Sequence, residues 1–430
     1  MTDARFMPCG PLRGELRPPA DKSISHRAAI LGAMATGRSQ VRGYLDAADT
    51  RSTLAAARAL GAEVSESAGE AGLDVEIVGA GLHGAADAVI DVGNAGTLLR
   101  ILPGWLAGHP GGAWTLDGDE SIGRRPVDRV AEPLRLMGAE VECAHGFLPP
   151  LRIRGAQLRA IDYELPVASA QVKSCLLLAG LLADGETVIA EPEPSRDHSE
   201  RMLAAAGAPI ELSERGIAIR ATDRLEPLDH EIPGDFSSAA FALVAAALVP
   251  GSELVLRGVG VNPTRIGLIR VLERMGASIE PVAADEGAGE PVGDILVRHS
   301  SLTATEVVNT EVPSMIDELP LIGLAGAFAE GETLVSGAAE LRHKESDRLA
   351  AVVDGLGGLG VEIEDHRDGF LVHGSGGLRG GWLDARGDHR LAMLGAVAGL
   401  ASREGVTVHG IEAVAISYPA FEADLASVCG

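Results

Sequence analysis

Six times along the chain an apolar, helix-like run stops at a glycine: Gly37, Gly111, Gly185, Gly251, Gly331 and Gly405. Their separations are 74, 74, 66, 80 and 74 residues. A strand-like run follows each stop: SQVRGY, AWTLDGD, TVIAEP, ELVLRGV, TLVSGA and VTVHGI. A second amphipathic segment then closes on a recurring phrase, ALGAEV (59–64), LMGAEV (136–141), AAGAPI (205–210), RMGASI (274–279) and GLGVEI (358–363). Glycine in such a place reads as a left-handed helix stop. The alternating pairs that follow, VSES to VEIV and IEL to IAIR, read as strands. The unit is therefore helix, strand, helix, strand, strand, written six times with the last copy cut short.

Alternating helices and strands require helices packed on sheets, an α/β class. The run FSSAAFALVAAALV is apolar around its whole circumference, so its helix must be buried. A chain of 430 residues exceeds one core. Three copies per domain give two similar globules, parting near HEIPGDF (230–236), where Pro233 and Gly234 break the pattern. The expected domains are 20–233, carrying repeats one to three, and 1–19 with 234–430, carrying repeats four to six. The piece LRGELRPPADK before the first helix is expected to cross to the other globule.

The polar residues at the helix starts are not ordinary loop content. The first helices open with DKSISHR (21–27), NAGTLLR (94–100), SAQVKS (169–174), GDFSS (234–238), PSMIDE (313–318) and GDHR (387–390). The second helices open with DTR, GRRP, SRDHSE, NPTR and HKESDR. Caps account for the Ser, Thr, Asp and Asn. They do not account for Lys and Arg, which are unfavourable beside a helix N-terminus of about +0.5 charge. Cations placed there point to a bound anion. All three lysines of the chain, Lys22, Lys173 and Lys344, fall in these windows while every other basic residue is arginine. A compact ammonium with a tunable pKa is not equivalent to a guanidinium fork, so their retention points to chemistry.

The net charge of −25 and 3% aromatic content exclude a nucleic-acid partner. Apolar uncharged runs reach 11 residues, about half a membrane span, and the start MTDARF lacks a signal-peptide pattern, so a cytoplasmic protein is expected. Four scattered cysteines and isolated Asp-His pairs show no metal-ligand spacing. Gly79, Gly81 and Gly84 spell GxGxxG without a convincing helix after them, and no P-loop or GxSxG elbow exists.

DKSISHR, NAGT, SAQVKS, the DE of PSMIDELP, LRHKESDRL and GDHRLAM, in this order over nearly the whole chain, resemble the 5-enolpyruvylshikimate-3-phosphate synthase family. RDHSE, SAQVK and NPTR are similar to its class II subgroup. The resemblance implies two domains of three βαβαββ units, with parallel helices facing an inter-domain cleft. It implies transfer of the enolpyruvyl group of phosphoenolpyruvate to the 5-hydroxyl of shikimate 3-phosphate with release of phosphate, on the route to chorismate and aromatic amino acids. No cofactor and no metal are implied, and a monomer is expected.

By the same resemblance, Lys22, Ser23, Arg27, Ser169, Ala170, Gln171, Arg196, Asp317 and Lys344 would bind shikimate 3-phosphate. Lys22, Asn94, Gly96, Arg124, Gln171, Arg348 and Arg390 would bind phosphoenolpyruvate. Asp317 would take the proton of the 5-hydroxyl, Glu345 would exchange a proton with the methylene carbon, and Lys22 would sit by the transferred phosphate. Without the surrounding motifs, Asp317 would read as a cap and Glu345 as an exposed carboxylate paired with Arg348 at i, i+3. Lys173 is expected to hold its own motif together and His389 to orient neighbours. The chain departs from the family at Ile416, where a lysine precedes the [TS]-[FY]-P phrase in many members, and at Glu340 and Ala170. Class II phrases argue for glyphosate tolerance while Gly96 leaves room for the inhibitor, so intermediate tolerance is expected.

Two other functions compete. The sister enzyme acting on UDP-N-acetylglucosamine carries a KN start and a loop cysteine, whereas this chain has KSISHR and no cysteine between Gly111 and Arg125. A non-catalytic anion-binding repeat protein would have no use for the pair Asp317 and Glu345.

Overall fold

The six stop glycines adopt φ of 123°, 85°, 105°, 77°, 103° and 84°, and the five glycines of the closing phrases are positive as well. An L side chain is strained at such angles, so these positions fix where each helix ends and each strand begins. The computed structural model describes the backbone of residues 1–287 and 289–430, and the side chains of all but 282–288.

Each repeat builds one sheet. In the second, Ala88–Asp91 runs parallel to Ala113–Asp117 across the helix Gly96–Ala107. The hairpin Glu140–Ala144 and Leu148–Arg154 then adds antiparallel to it after the helix Asp128–Met137. The third repeat copies this with Asp162–Glu164, Glu186–Ala190, Ile210–Ser213 and Gly216–Arg220. The fifth copies it with Glu306–Val307, Glu332–Val335, Glu362–His366 and Gly369–His373. The sixth has no hairpin of its own. Gly381–Asp384 lies parallel to Val406–His409, and Asp3–Phe6 covers the other edge of Val406–His409.

Repeats one and four exchange the strands that precede their first helices. Arg13–Leu16 pairs in parallel with Glu253–Gly260 of repeat four. Asp229–Glu231, just before repeat four, pairs in parallel with Arg38–Tyr44 of repeat one. The chain divides accordingly into a unit of Ala20–Ile232 with Gly287–Glu290, and a unit of Met1–Pro19, Pro233–Glu286 and Pro291–Gly430. Pro233 thus groups with the second of these, one residue before the expected break, and a four-residue piece far along the chain belongs to the first.

Each unit has its own core. Phe236–Leu248 is buried at all 13 positions, as its uniform apolarity requires. Lys22–Met34, Gly96–Ala107 and Ala170–Gly180 are the corresponding buried helices of the first unit, and Leu319–Phe328 and His389–Ala401 those of the second. Removing one large side chain here, as in Phe241→Ala, costs about 3–5 kcal/mol through the cavity left behind. Burying the helix shafts leaves their N-terminal ends as the places where polar groups collect.

Candidate active site

In the unit of residues 20–232, Asp21 caps the first helix by accepting from the Ile24 N–H at 2.8 Å. Lys22, directly after it, reaches Asp49 Oδ2 at 3.1 Å, and Asp49 Oδ1 is buried without a hydrogen-bond partner. One turn on, buried Arg27 donates from Nε to Ser199 Oγ at 2.7 Å and from its other nitrogens to Ser174 Oγ at 2.9 Å and the Ser23 carbonyl at 3.0 Å. Burial pulls this guanidinium down to about 10, against the fields of Glu200, Asp21 and Glu290 and with help from Arg196. It stays charged at neutral pH. A buried cation held by hydroxyl and carbonyl oxygens has its donors satisfied but not its charge, which suits an incoming anion.

Ser169 caps the helix Ala170–Gly180, accepting from the Val172 N–H at 3.4 Å, and Gln171 donates to Thr97 Oγ1 at 3.0 Å, so the second and third helix starts meet. Asn94 donates to Asp119 Oδ2 at 2.6 Å and accepts from Arg125 at 3.3 Å. Gly96 opens the second helix, where an added Cβ would come within 2.9 Å of Arg125 Nη1 and 3.0 Å of Arg100 Nη1. Lys173 is different in kind. It is buried and neutralised, 2.6 Å from Glu200 and 2.9 Å from Glu191. Burial raises the Glu200 carboxyl against the pull of that lysine. Lys173 therefore ties its helix to the following segment, as expected of it.

The unit of residues 233–430 gathers a denser cluster. Asp317 Oδ1 lies 3.3 Å from Arg348 and 3.6 Å from Lys344, and its Oδ2 lies 3.6 Å from Arg390 and 4.0 Å from Arg265. Glu345 Oε2 is 2.5 Å from Arg348 Nη2. Arg348 is buried and also donates from Nε to Asp388 Oδ2 at 2.9 Å. Burial works against its charge, but Asp388, Glu345 and Asp317 outweigh burial and hold its proton more tightly than an ordinary arginine's. Asp388 in turn caps the helix that carries His389 and Arg390, accepting from the Arg390 N–H at 2.9 Å. Glu318 accepts from Ser237 Oγ and lies 3.9 Å from Arg390. Asp235 caps its own helix and holds Arg265 at 3.0 Å. Asp317 is thus not a cap: that position belongs to Glu318, leaving Asp317 to face four cations.

The residues expected at the site sort within each unit. Lys22, Ser23, Arg27, Ser169, Ala170 and Gln171 lie at the helix starts of the first unit, with Arg196 close enough to depress Arg27. Asp317, Lys344, Glu345, Arg348 and Arg390 share the cluster of the second, where Glu345 makes the i, i+3 contact with Arg348. Arg124 does not join its neighbours. Its side chain is 73% exposed and pairs with Glu120. The next residue, Arg125, is the buried one, bonded to Asn94 and Ser121. Residue-by-residue reading also missed Asp49, Arg265, Glu318 and Asp388, although each lies within or beside one of the helix-start phrases. The Ile416 position is half-buried at the end of a short 3-10 helix, and the adjacent Ser417 hydroxyl is buried without a partner.

Among the described residues, no group of three or more His, Cys, Asp or Glu is placed to hold a metal. Among the same residues, no helix is long and apolar enough to cross a membrane. What the two clusters offer is anion binding by Lys and Arg, and two carboxyl groups for proton transfer.

A family model described as EPSP synthase (3-phosphoshikimate 1-carboxyvinyltransferase) matches residues 7–425. The 3-phosphoshikimate 1-carboxyvinyltransferase of Thermus thermophilus is 49% identical over 427 residues, covering 99% of this chain and 98% of that protein. The enzyme of the same name from Methylococcus capsulatus is 47% identical over 417 residues, 96% of this chain and 94% of its own. A solved EPSP synthase from Acinetobacter baumannii superposes with a TM-score of 0.87 at 40% identity, over 100% of this chain and 98% of that one. The enolpyruvyl transferase NikO from Streptomyces tendae, at 18% identity, shares the fold with a TM-score of 0.81 over 99% of this chain and 96% of its own.

Proposed function

Since the chain belongs to the EPSP synthase family, we propose that it transfers the enolpyruvyl group of phosphoenolpyruvate to the 5-hydroxyl of shikimate 3-phosphate and releases phosphate. It is then a 3-phosphoshikimate 1-carboxyvinyltransferase of the shikimate pathway, working on two small anionic substrates. A cytoplasmic monomer suits that role.

Both substrates carry phosphate and carboxylate, and the chain carries a net charge of −25, so binding depends on cations collected locally. Lys22, Ser23, Arg27, Ser169, Ala170, Gln171, Arg196 and Lys344 hold shikimate 3-phosphate in this reading. Asn94, Gly96, Arg124, Gln171, Arg348 and Arg390 hold phosphoenolpyruvate in the same reading, with Lys22 beside the transferred phosphate. Guanidinium forks match carboxylate and phosphate oxygens in pairs.

Chemistry follows from the two carboxyl groups. Asp317 accepts the proton of the 5-hydroxyl as that oxygen attacks C2 of phosphoenolpyruvate. Glu345 gives a proton to the methylene carbon and later takes one back from the methyl group so formed, as the carbon–oxygen bond to phosphate breaks. Glu345 ends as it began, and the proton taken up by Asp317 passes to the departing phosphate, so the proton count balances over the two halves. The observation that carries this reading is that one arginine presents both groups: Arg348 lies 3.3 Å from Asp317 and 2.5 Å from Glu345. Substrate anions drawing on Arg348, Arg390 and Lys344 would weaken the grip of those cations on Asp317 and make it the better base.

Phosphate release on mixing the two substrates tests the activity. Glu345→Ala should abolish turnover while leaving shikimate 3-phosphate binding within about threefold. Binding without phosphate release in the parent protein would instead support a non-catalytic anion-binding role.

A further inference from the structure

The segment after the first strand and the last residues of the chain come together in the unit of residues 233–430. Leu12 forms an antiparallel bridge with Cys429, and a Cβ on Gly10 would lie 3.1 Å from the Gly430 carbonyl oxygen. Within this junction the side chains of Cys9 and Cys429 act on each other, and both are half-buried against the core. They are the two cysteines of the chain that meet. Cys175 is fully buried in a helix, and Cys143 lies in a strand of the other unit. From this contact we propose that Cys9 and Cys429 form a reversible redox pair, which small disulfides convert to a covalent staple across the junction.

The contact assigns the two roles. The interaction of the two thiols pulls Cys429 down to about 7, while the same interaction and burial push Cys9 upward. Cys429 is therefore the attacking thiolate near neutral pH. It attacks one sulfur of a small disulfide R–S–S–R. That bond breaks, one thiolate leaves, and a mixed disulfide remains on Cys429. Cys9 then gives up its proton to solvent and attacks the Cys429 sulfur, displacing the second small thiolate. The cysteines lose two electrons and two protons, and the small disulfide becomes two thiols.

The staple acts on elements that matter to the site of the same unit. The Cys9 N–H donates to the Leu400 carbonyl at 3.3 Å, at the far end of the helix that begins with His389 and Arg390. Cross-linking there holds the segment that packs on this helix end and encloses almost the whole chain in one covalent loop. A long closed loop is strongly disfavoured in the unfolded state.

The experiment treats the full chain with oxidised glutathione and maps disulfides by mass spectrometry of a non-reduced digest. The expected result is a Cys9–Cys429 linked peptide, a fall in native reactive thiols, a rise of roughly 5 °C in thermal midpoint, and reversal by dithiothreitol. Cys9→Ser should stop at the Cys429–glutathione mixed disulfide and show no thermal gain, while Cys143→Ser should behave as the parent. Glutathione retained on Cys429 of the parent, or both thiols left unmodified, would overturn the proposal.

Discussion

The three buried helices of residues 233–430 start at Asp235, Glu318 and Asp388, and each acid has an arginine partner: Arg265 at 3.0 Å, Arg390 at 3.9 Å and Arg348 at 2.9 Å. The equivalent caps in residues 20–232 are Asp21, Ala95 and Ser169. There Arg27 leans on serine hydroxyls, while Lys173 is answered by two carboxylates. One repeat has thus been given two electrostatic finishes. The first unit leaves the buried Arg27 among neutral oxygens, whereas the second locks its charges into a lattice around Asp317. The difference teaches that the scaffold supplies positions, and that the residue type at each cap decides how the charge at a helix end is balanced.

The largest effect should come from the centre of the locked cluster. Asp317→Asn keeps the shape and removes the proposed proton acceptor, so kcat should fall about 10²–10⁴-fold with shikimate 3-phosphate binding retained, as measured by single-turnover kinetics and calorimetry. Retained turnover would break the contrast between the units. Next in size is the keystone itself: Arg348→Met leaves Asp388 and its neighbours buried without their cation and should cost about 3–5 kcal/mol in urea unfolding. A loss of activity with unchanged stability would show that the lattice is not structural.

Two lysines sharpen the comparison inside one unit. Lys173→Met strands Glu191 and Glu200 and should cost about 3 kcal/mol or more of stability. Lys22→Met, at a side chain only 17% exposed but facing a single carboxylate, should change stability by about 1 kcal/mol and weaken phosphate-bearing ligands about tenfold or more. If the two variants behaved alike, the distinction between singly and doubly answered charge would fail.

The last effect is one of pH and is confined to acid solution. Burial holds His26 down to about 3, against an ordinary value of 6.5, so it folds neutral. The unfolded chain binds more protons between those values, and stability must fall as pH drops from 6.5 toward 3, by up to about 1.4 kcal/mol per unit. Tryptophan fluorescence reports this unit, because Trp105 and Trp114 are buried in it while Trp382 of the other is exposed. His26→Leu should flatten the acid side of that profile relative to the parent.

What could be read from the sequence was what repeats. The spaced glycines and their closing phrases announce the units because each positive φ excludes other residues, and the helix-start phrases hold most of the clustered side chains. Two things were not legible. Adjacent arginines at 124 and 125 look alike in composition. The usable signal was Pro126, which forces the residue before it to extended angles; Arg125 has φ −96° and ψ 116° and turns inward toward Asn94. The contact of His198 with Glu290 at 2.8 Å, both buried, joins residues 92 apart with no local pattern to announce it.

The exchange of leading strands sets a timetable for the newborn protein. Ala20–Ile232 has every strand of its three four-stranded sheets once Asp229–Glu231 has been made, so the middle of the chain can mature early. Arg13–Leu16, though synthesised before it, has no partner until Glu253–Leu256 emerges 240 residues later. At translation rates of about 5–20 residues per second that wait lasts roughly 12–48 s. An exposed edge must be kept from mispairing throughout that interval.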